Sequence, residues 1–385
     1  MKIYKAGSMF AGIGGIGLGF QQVKFENARI EIAWANEIDS EACKTYKTNF
    51  DHLLLEGDIN FIIHPNKAVG TDEKDEIYYS NLQKQMFMHK IDIIDAGFPC
   101  QAFSIAGDRR GFDDERGNLF WSIINVVLLH EKIHKIKPRI LFLENVKNLK
   151  SHDKGRTYEV IKSEIEKLGY IVKEAILNTM DYTELPQNRE RIYIVCFRDI
   201  KDATKFTMFK NLEKFKIYRT KSEWASCVKK IIDYNAKKPD KYYYTKKKYP
   251  NYFLTIDDYN NLDENVRKKT RINLEEEITE MYQFYQLRRG MYVRKNQSNV
   301  SPTLTANMGT GGHNVPLIKD KYGIRKLTPD ETLRLQGFPA NEKYRSPCSD
   351  SSIYKQAGNA VSVPVVKLIA QELLKILYCN DKKNM

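Results

Sequence analysis

The chain lacks any apolar run long enough to cross a bilayer. Its longest, such as residues 123–129, fall far short of the roughly 20 residues a spanning helix needs, so no membrane partner is expected. Cysteine is scarce: Cys43, Cys100, Cys196, Cys227, Cys348 and Cys379 are scattered without metal-like spacing, which points to a reducing, cytoplasmic compartment. Met1-Lys2-Ile3-Tyr4 runs directly into a strand pattern rather than a signal peptide. No internal repeat is visible.

Positive charge is in excess, and it is localised. The chain carries a net +13, and residues 201–250 hold 15 Lys and Arg against 5 Asp and Glu. There Lys237-Lys238-Pro239-Asp240-Lys241-Tyr242-Tyr243-Tyr244-Thr245-Lys246-Lys247-Lys248-Tyr249 interleaves lysine with tyrosine, the mixture of a phosphate-contacting surface. A lysine run without other context also reads as a solvated loop.

Over the first two hundred residues, strand-like runs at 4–10, 30–36, 91–96, 139–143, 171–177 and 191–197 alternate with helical spacing at 122–135 and 158–168. This predicts an α/β fold, a parallel sheet with helices on both faces. The alternation stops near Phe197, and residues 199–295, charged and tyrosine-rich, read as a separate smaller domain. Two helix starts follow, Thr328-Pro329-Asp330-Glu331 and Ser362-Val363-Pro364, each an N-cap with proline in the first turn. The apolar face Val365, Val366, Ile369, Leu373, Leu374 and Leu377 should dock on the first domain. The expected division is 1–198, 199–295 and 296–385, the last completing the first.

After the first strand comes Phe10-Ala11-Gly12-Ile13-Gly14-Gly15-Ile16-Gly17, which fits G-x-G-x-x-G through Gly12, Gly14 and Gly17. Glycines there let the main chain turn tightly against a nucleotide-like ligand, and an acid ending the next strand binds ribose hydroxyls. Glu37 is placed for that, with Asp39 second. In Gly57-Asp58-Ile59 an acid is placed to accept from an adenine amino group. The run Ile91-Asp92-Ile93-Ile94-Asp95-Ala96 leads to Gly97-Phe98-Pro99-Cys100-Gln101, a thiol at the end of a strand, which reads as a nucleophile or as a packed cysteine. Glu144-Asn145-Val146 ends the run Ile140-Leu141-Phe142-Leu143 and brings a carboxyl group to the same rim. A thiolate beside an acid suits addition to a pyrimidine, the acid hydrogen-bonding or protonating the ring as sulfur adds. Alone, Glu144 reads as an acid at a helix N-terminus.

Together with Gln187-Asn188-Arg189-Glu190-Arg191 and Gly358-Asn359-Ala360-Val361, these motifs resemble, in order, those of DNA (cytosine-5)-methyltransferases of the bacterial restriction-modification type. Gly107 to Phe120, with Arg116-Gly117-Asn118-Leu119-Phe120, resembles that family's mobile catalytic loop, and Ser301-Pro302-Thr303-Leu304-Thr305 its motif before the final helices. The resemblance covers residues 4–197 and 294–375, with the target-recognition segment between. It implies a Rossmann-like sheet that binds S-adenosyl-L-methionine (AdoMet) and releases S-adenosyl-L-homocysteine (AdoHcy), plus a smaller target-recognition domain. By the same resemblance Cys100 adds to C6 of a flipped-out cytosine, Glu144 contacts N3 and the exocyclic amine, Arg191 orients the catalytic groups, and Arg189 supports the loop or a phosphate. Phe10, Ala11, Gly12, Gly14, Glu37, Ile38, Asp58, Ile59, Leu119, Asn359 and Val361 would line the cofactor pocket. The expected partner is duplex DNA, with a functionally paired restriction endonuclease if the chain is the modification half of a restriction-modification system and none if it is an orphan methyltransferase, for a monomeric, nucleoid-associated protein that needs no metal.

Two departures stand out. The family usually has an acid where Ser8 stands, so a hydrogen bond there is weaker or supplied differently. The stretch from Asn60 to Lys90 exceeds a minimal connection and reads as a surface insertion. Other functions compete. His130-Glu131-Lys132-Ile133-His134 satisfies H-E-x-x-H, read literally a zinc hydrolase with Glu159 or Glu164 as third ligand, but Lys137-Pro138 ends that helix at once and favours a polar helix end. A transfer-RNA-directed enzyme would share the chemistry, though the basic segment suits a duplex groove better. A non-catalytic DNA-binding module would need neither Cys100, Glu144 nor the glycine loop.

Overall fold

The computed structural model describes residues 1–67, 73–98, 119–265, 271–288, 290–296, 299–310, 314–340 and 343–383. Cys100, Gln101 and Arg116-Gly117-Asn118 lie outside them. All six expected strands form, joined by two short ones: β1 (Lys2–Met9), β2 (Lys24–Phe25), β3 (Ala28–Glu37), β4 (Leu53–Glu56), β5 (Ile93–Gly97), β6 (Ile140–Val146), β7 (Ile171–Asn178) and β8 (Glu190–Phe197). Their order is β2-β3-β1-β5-β6-β8-β7, with β4 paired to β3.

The pairs β3–β4, β1–β3, β1–β5 and β5–β6 are parallel, but β8 runs antiparallel to β6. The sheet is therefore mixed, where the alternation predicted a parallel one. Only residues 179–189 separate β7 from β8, fewer than the dozen or more that a parallel crossover needs. Around the sheet lie α1 (Gly15–Gln21), α2 (Ser40–Asn49), α3 (Ile59–Ile63), α4 (Glu73–Met86), α5 (Leu119–His134) and α6 (Arg156–Lys167). Phe120, Ile123, Val126 and Val127 of α5 and Ile161 and Ile165 of α6 are fully buried against Ile94, Leu141 and Ile194, the period-3.6 stripes of those helices meeting alternate strand residues.

The chain divides into two compact units: Met1–Leu177 with Glu190–Phe215 and Val361–Met385, and Asn178–Arg189 with Lys216–Ala360. Residues 199–215 thus fold with the first unit and 296–360 with the second, so what returns to the first is essentially the C-terminal helix Val363–Lys382. Val365, Val366, Ile369, Leu373, Leu374 and Leu377 are all at 0% exposure. Gly19 of α1 is where this helix comes close: a Cβ there would stand 2.7 Å from Val366 Cγ1. A polar clamp holds the far end. Arg139 donates to both oxygens of the fully buried Asp202 at 2.5 and 2.9 Å and to Asp381 at 2.6 Å, and Tyr4 donates to Asp381 at 2.9 Å.

In the second unit β9 (Tyr285–Arg288), β10 (Tyr292–Lys295), β11 (Leu317–Asp320) and β12 (Gly323–Lys326) form an antiparallel sheet in the order β10-β9-β11-β12. Its core takes Tyr244, Tyr252, Phe253, Leu274, Tyr285 and Leu317. The tyrosines of the basic stretch are therefore mostly interior: Tyr244 stacks on Tyr249 with centroids 4.5 Å apart, and Tyr243 donates to Asp320 at 3.0 Å. Lys241, Lys246, Lys247 and Lys248 stay exposed. Burial of ring area outweighs the pull of neighbouring charge, so the lysines alone face water. Beneath them Arg325 is fully buried between Asp320 (2.6 Å) and Glu331 (2.8 Å), and Glu331 closes a capping box with Thr328.

Removing Arg139 leaves the fully buried Asp202 carboxylate with the Asn380 amide in place of a guanidinium, while Asp381 keeps Tyr4 and Lys2. Arg139→Ala should destabilise the protein by about 3–5 kcal/mol, read from urea unfolding. A change below about 1 kcal/mol would show that the clamp does not hold the helix.

Candidate active site

Strands β1, β3, β4, β5 and β6 end at one rim, and most expected site residues of the first unit lie there. Phe10 follows β1 with a positive φ of 53°, a conformation that costs a bulky side chain energy and that here turns the chain into the glycine loop. Gly12 (φ 56°) and Gly14 (φ 85°) continue it. A Cβ on Gly14 would strike Phe50 at 2.3 Å, whereas one on Gly12 would meet none of the described residues within 4 Å.

Glu37, at the end of β3 and 9% exposed, holds this loop. Its Oε2 accepts from the Gly12 N–H at 2.7 Å, and its Oε1 accepts from the Ile38 and Asp39 N–H groups at 2.9 and 2.8 Å. A carboxylate offers about four acceptor sites, so capacity remains for a ribose hydroxyl. Asp39 is committed elsewhere as the N-cap of α2, accepting from Glu41 and Ala42, which separates the two candidate ribose acids. Ile38 is 66% exposed, an apolar face beside the acid. Asp58 caps α3 through Asn60 N–H at 2.8 Å, and Ile59 is buried. Asn36, which the sequence reading passed over, donates to Leu55 and Gly57 carbonyls, both at 2.9 Å, and so sets the end of β4 beside the end of β3.

The second cluster lies at β5, β6 and β8. Gly97 pairs with Glu144, and Val146 with Arg191. Glu144, 7% exposed, has Oε1 3.3 Å from Arg191 Nε, and its Oε2 lies 3.8 Å from where a Cβ on Gly97 would stand. Asn145, also passed over, donates to the Phe98 carbonyl at 2.8 Å, so β6 holds the chain just before Pro99-Cys100. A polar residue inside each apolar run was the signal for both asparagines. Leu119 packs on the core at the start of α5.

Where an acid was expected at Ser8, the carboxyl stands on the neighbouring strand. Ser8 pairs with Asp95, and its hydroxyl donates to Asp95 Oδ2 at 2.5 Å, both side chains being buried. Burial pushes the Asp95 carboxyl up to about 8, partly offset by the Ser8 hydrogen bond.

Other expected residues lie elsewhere. Arg189, 2% exposed, belongs to the second unit and donates to the carbonyls of Leu304 (2.8 Å), Gly358 (3.2 Å) and Ala360 (2.6 Å). A guanidinium spent on buried carbonyls braces the chain; it is not available to a phosphate. Gln187 does similar work, donating to Leu335 O and accepting from Leu304 N–H. Asn359 is exposed in the second unit, whereas Val361 is buried in the first. The H-E-x-x-H reading fails at its first histidine: His130 is fully buried, Nε2 accepts from the Ile91 N–H at 3.1 Å, and Nδ1 faces the Ile136 carbonyl at 2.8 Å. Both ring nitrogens are used as a strut. Among the described residues no three His, Cys, Asp or Glu side chains come together as a metal site.

This strand order, with a glycine loop, a strand-end acid and a carboxyl–guanidinium pair at one rim, defines a Rossmann-like methyltransferase of the AdoMet-dependent fold class. The chain belongs to the C-5 cytosine-specific DNA methylase family, whose model matches residues 4–375. It is 40% identical over 370 residues to the Type II methyltransferase M.Bsp6I of Bacillus sp. (strain RFL6), covering 96% of this chain and 98% of that one. To M.HpaII of Haemophilus parainfluenzae it is 34% identical, covering 96% and 88%. Among solved structures, a Spodoptera frugiperda DNMT2 mutant superposes with a TM-score of 0.61 at 18% identity, over 97% of this chain and 99% of that one, a likeness of fold. The protein is a DNA (cytosine-5)-methyltransferase.

The Asp95 pKa gives a signed prediction. A folded-state value raised above the unfolded one favours the fold fully below about 4, and that contribution is lost as pH rises toward 8. Urea midpoints of wild type should therefore fall relative to Asp95→Asn between pH 5 and pH 8.5. A difference that does not change with pH counts against a neutral buried carboxyl.

Proposed function

We propose that the chain transfers the methyl group of AdoMet to C5 of a cytosine flipped out of duplex DNA, through a covalent bond from Cys100 to C6. The Glu144–Arg191 pair beside Gly97 carries this reading, because it brings a carboxyl group held by a guanidinium to the strand end that leads into Cys100. Arg191 orients Glu144, and Glu144 contacts N3 and the exocyclic amine, which favours addition of sulfur at C6. Electron density then moves to C5. When bound, AdoMet supplies an electrophilic methyl group; after C5 accepts it, loss of the C5 proton and cleavage of the S–C6 bond release 5-methylcytosine and regenerate the thiol. Extrusion of the base is needed because its reacting atoms are closed off inside the stack.

Phe10, Ala11, Gly12 and Gly14 would hold the cofactor with Glu37 on its ribose hydroxyls and Ile38, Asp58 and Ile59 around its adenine; Leu119 and Val361 complete the proposed set within the first unit. The first unit is the proposed cofactor-binding part. The second, with its exposed lysines, is the proposed target-recognition part. The kinship to Type II methyltransferases supports a restriction-modification role with a paired endonuclease over that of an orphan methyltransferase.

Labelled AdoMet offered with duplex DNA and with transfer RNA tests the substrate: label is expected in DNA, and label in RNA alone would sink the proposal. Cys100→Ala should abolish transfer, and Glu144→Gln should lower kcat by about 10²–10⁴. Full activity in Cys100→Ser would exclude the covalent route.

A further inference from the structure

Helix α4, in the stretch that reads from sequence as a surface insertion, is anchored into the fold. Leu82, Met86 and the following Phe87 are buried in the core of the first unit, and Gln83 donates to the carbonyls of Ile62 and Ile63 at 3.0 and 2.8 Å, closing the end of α3. These contacts fix the rotation of the helix. Tyr79 lies one turn before Leu82 and Gln83, on the same stripe, so it is carried to the turn that ends β4.

There the fit is close. Gly57 has a φ of 146°, and a Cβ on it would stand 2.9 Å from Tyr79 Cε1 and 3.2 Å from its phenol oxygen, so only glycine lets this ring lie against the main chain. Burial raises the Tyr79 phenol above its ordinary value, and the Asp58 main chain beside it offsets part of that rise. Phe61 meets the Tyr79 ring edge-on at 5.4 Å, Tyr78 meets it at 5.2 Å, and Tyr78 donates to the Glu56 carbonyl at 2.8 Å. Tyr78 and Tyr79 thus lie against Glu56-Gly57-Asp58, with Phe61 packed on the Tyr79 ring. That turn is tied to the ribose-acid strand by the Gly57 N–H donating to the Glu37 carbonyl at 3.0 Å, and Ile38 stands exposed beside it.

A planar base with an exocyclic amine needs an acceptor and flat apolar walls, and stacking on an aromatic face is what such walls contribute. We propose that Tyr79 of α4 is a base-binding residue of the cofactor site, its ring forming the adenine-side wall over Gly57-Asp58, so that the 60–90 stretch is a built part of the pocket. The proposal rests on the reading that AdoMet lies with its ribose at Glu37 and its adenine at Asp58.

Calorimetric titration of the full chain with AdoHcy, and separately with adenosine, tests it without reference to turnover. Tyr79→Ala should weaken both ligands by a similar factor, about tenfold, while DNA affinity stays unchanged; Tyr79→Phe should stay within about threefold of wild type. AdoHcy affinity within twofold of wild type in Tyr79→Ala overturns the proposal, as does a loss in Tyr79→Phe equal to that in Tyr79→Ala. If Tyr79→Ala melts early, Tyr79→Leu keeps the apolar bulk and removes the ring face, and unchanged adenosine binding in it is equally fatal. Glu37→Ala separates the two levels: if it also leaves AdoHcy affinity intact, the cofactor reading itself fails, whereas loss in Glu37→Ala with none in Tyr79→Ala removes only the wall.

Discussion

The arrangement of the rim depends on one carboxylate. Glu37 accepts three main-chain N–H groups, one from the glycine loop and two from the turn after its own strand. Charged acceptors make stronger hydrogen bonds than neutral ones, so a single side chain ties the end of β1 to the end of β3. The neighbouring strand is brought in by Asn36, whose amide reaches the carbonyls of Leu55 and Gly57. Three strand ends are thereby held together before any ligand is present, and pre-ordering of that kind lowers the conformational cost of binding. The proposed ribose contact of Glu37 is an addition to a structural duty that the acid already performs.

The same economy recurs around the catalytic strands. Asn145 holds the Phe98 carbonyl, and Arg191 lies beside Glu144, so β6, backed by β8, holds the end of β5 from one side. Ser8 and Asp95 join β1 to β5 from the other. Ser8 and Asp95 place a polar pair at one depth in the sheet, because the two residues are in register on adjacent parallel strands. In the second unit Arg189 and Gln187 knit the Pro186–Arg189 turn to residues 301–304 and to the end of the helix Asp350–Asn359, motifs far apart in sequence that are adjacent through main-chain carbonyls.

Much of this was legible from residue order. Apolar runs of five to eight residues marked the six main strands, and the glycine loop, Glu37 and Glu144 follow from what must stand at strand ends to meet a ligand. Two things were not. The tyrosines among lysines at 237–249 read as a phosphate-contacting surface or as a solvated loop, and ring burial takes most of them inside. Arg189 read as a support for the loop or for a phosphate, and a motif does not tell that its guanidinium donates to the carbonyls of Leu304, Gly358 and Ala360.

Sequence by itself determined the family, the α/β class and the residue types found at the strand ends, since these follow from motif order, local hydrophobic period and side-chain chemistry. Tertiary structure alone decided which polar groups are spent on the fold. It committed Asp39 to a helix cap, His130 to a strut and Arg189 to a brace, reversed β8 against β6, and laid Tyr79 against Gly57. Each of these depends on which distant main-chain donor or acceptor is brought within hydrogen-bond reach, and on how closely two segments approach. Neither quantity is written in the spacing of residues along a chain.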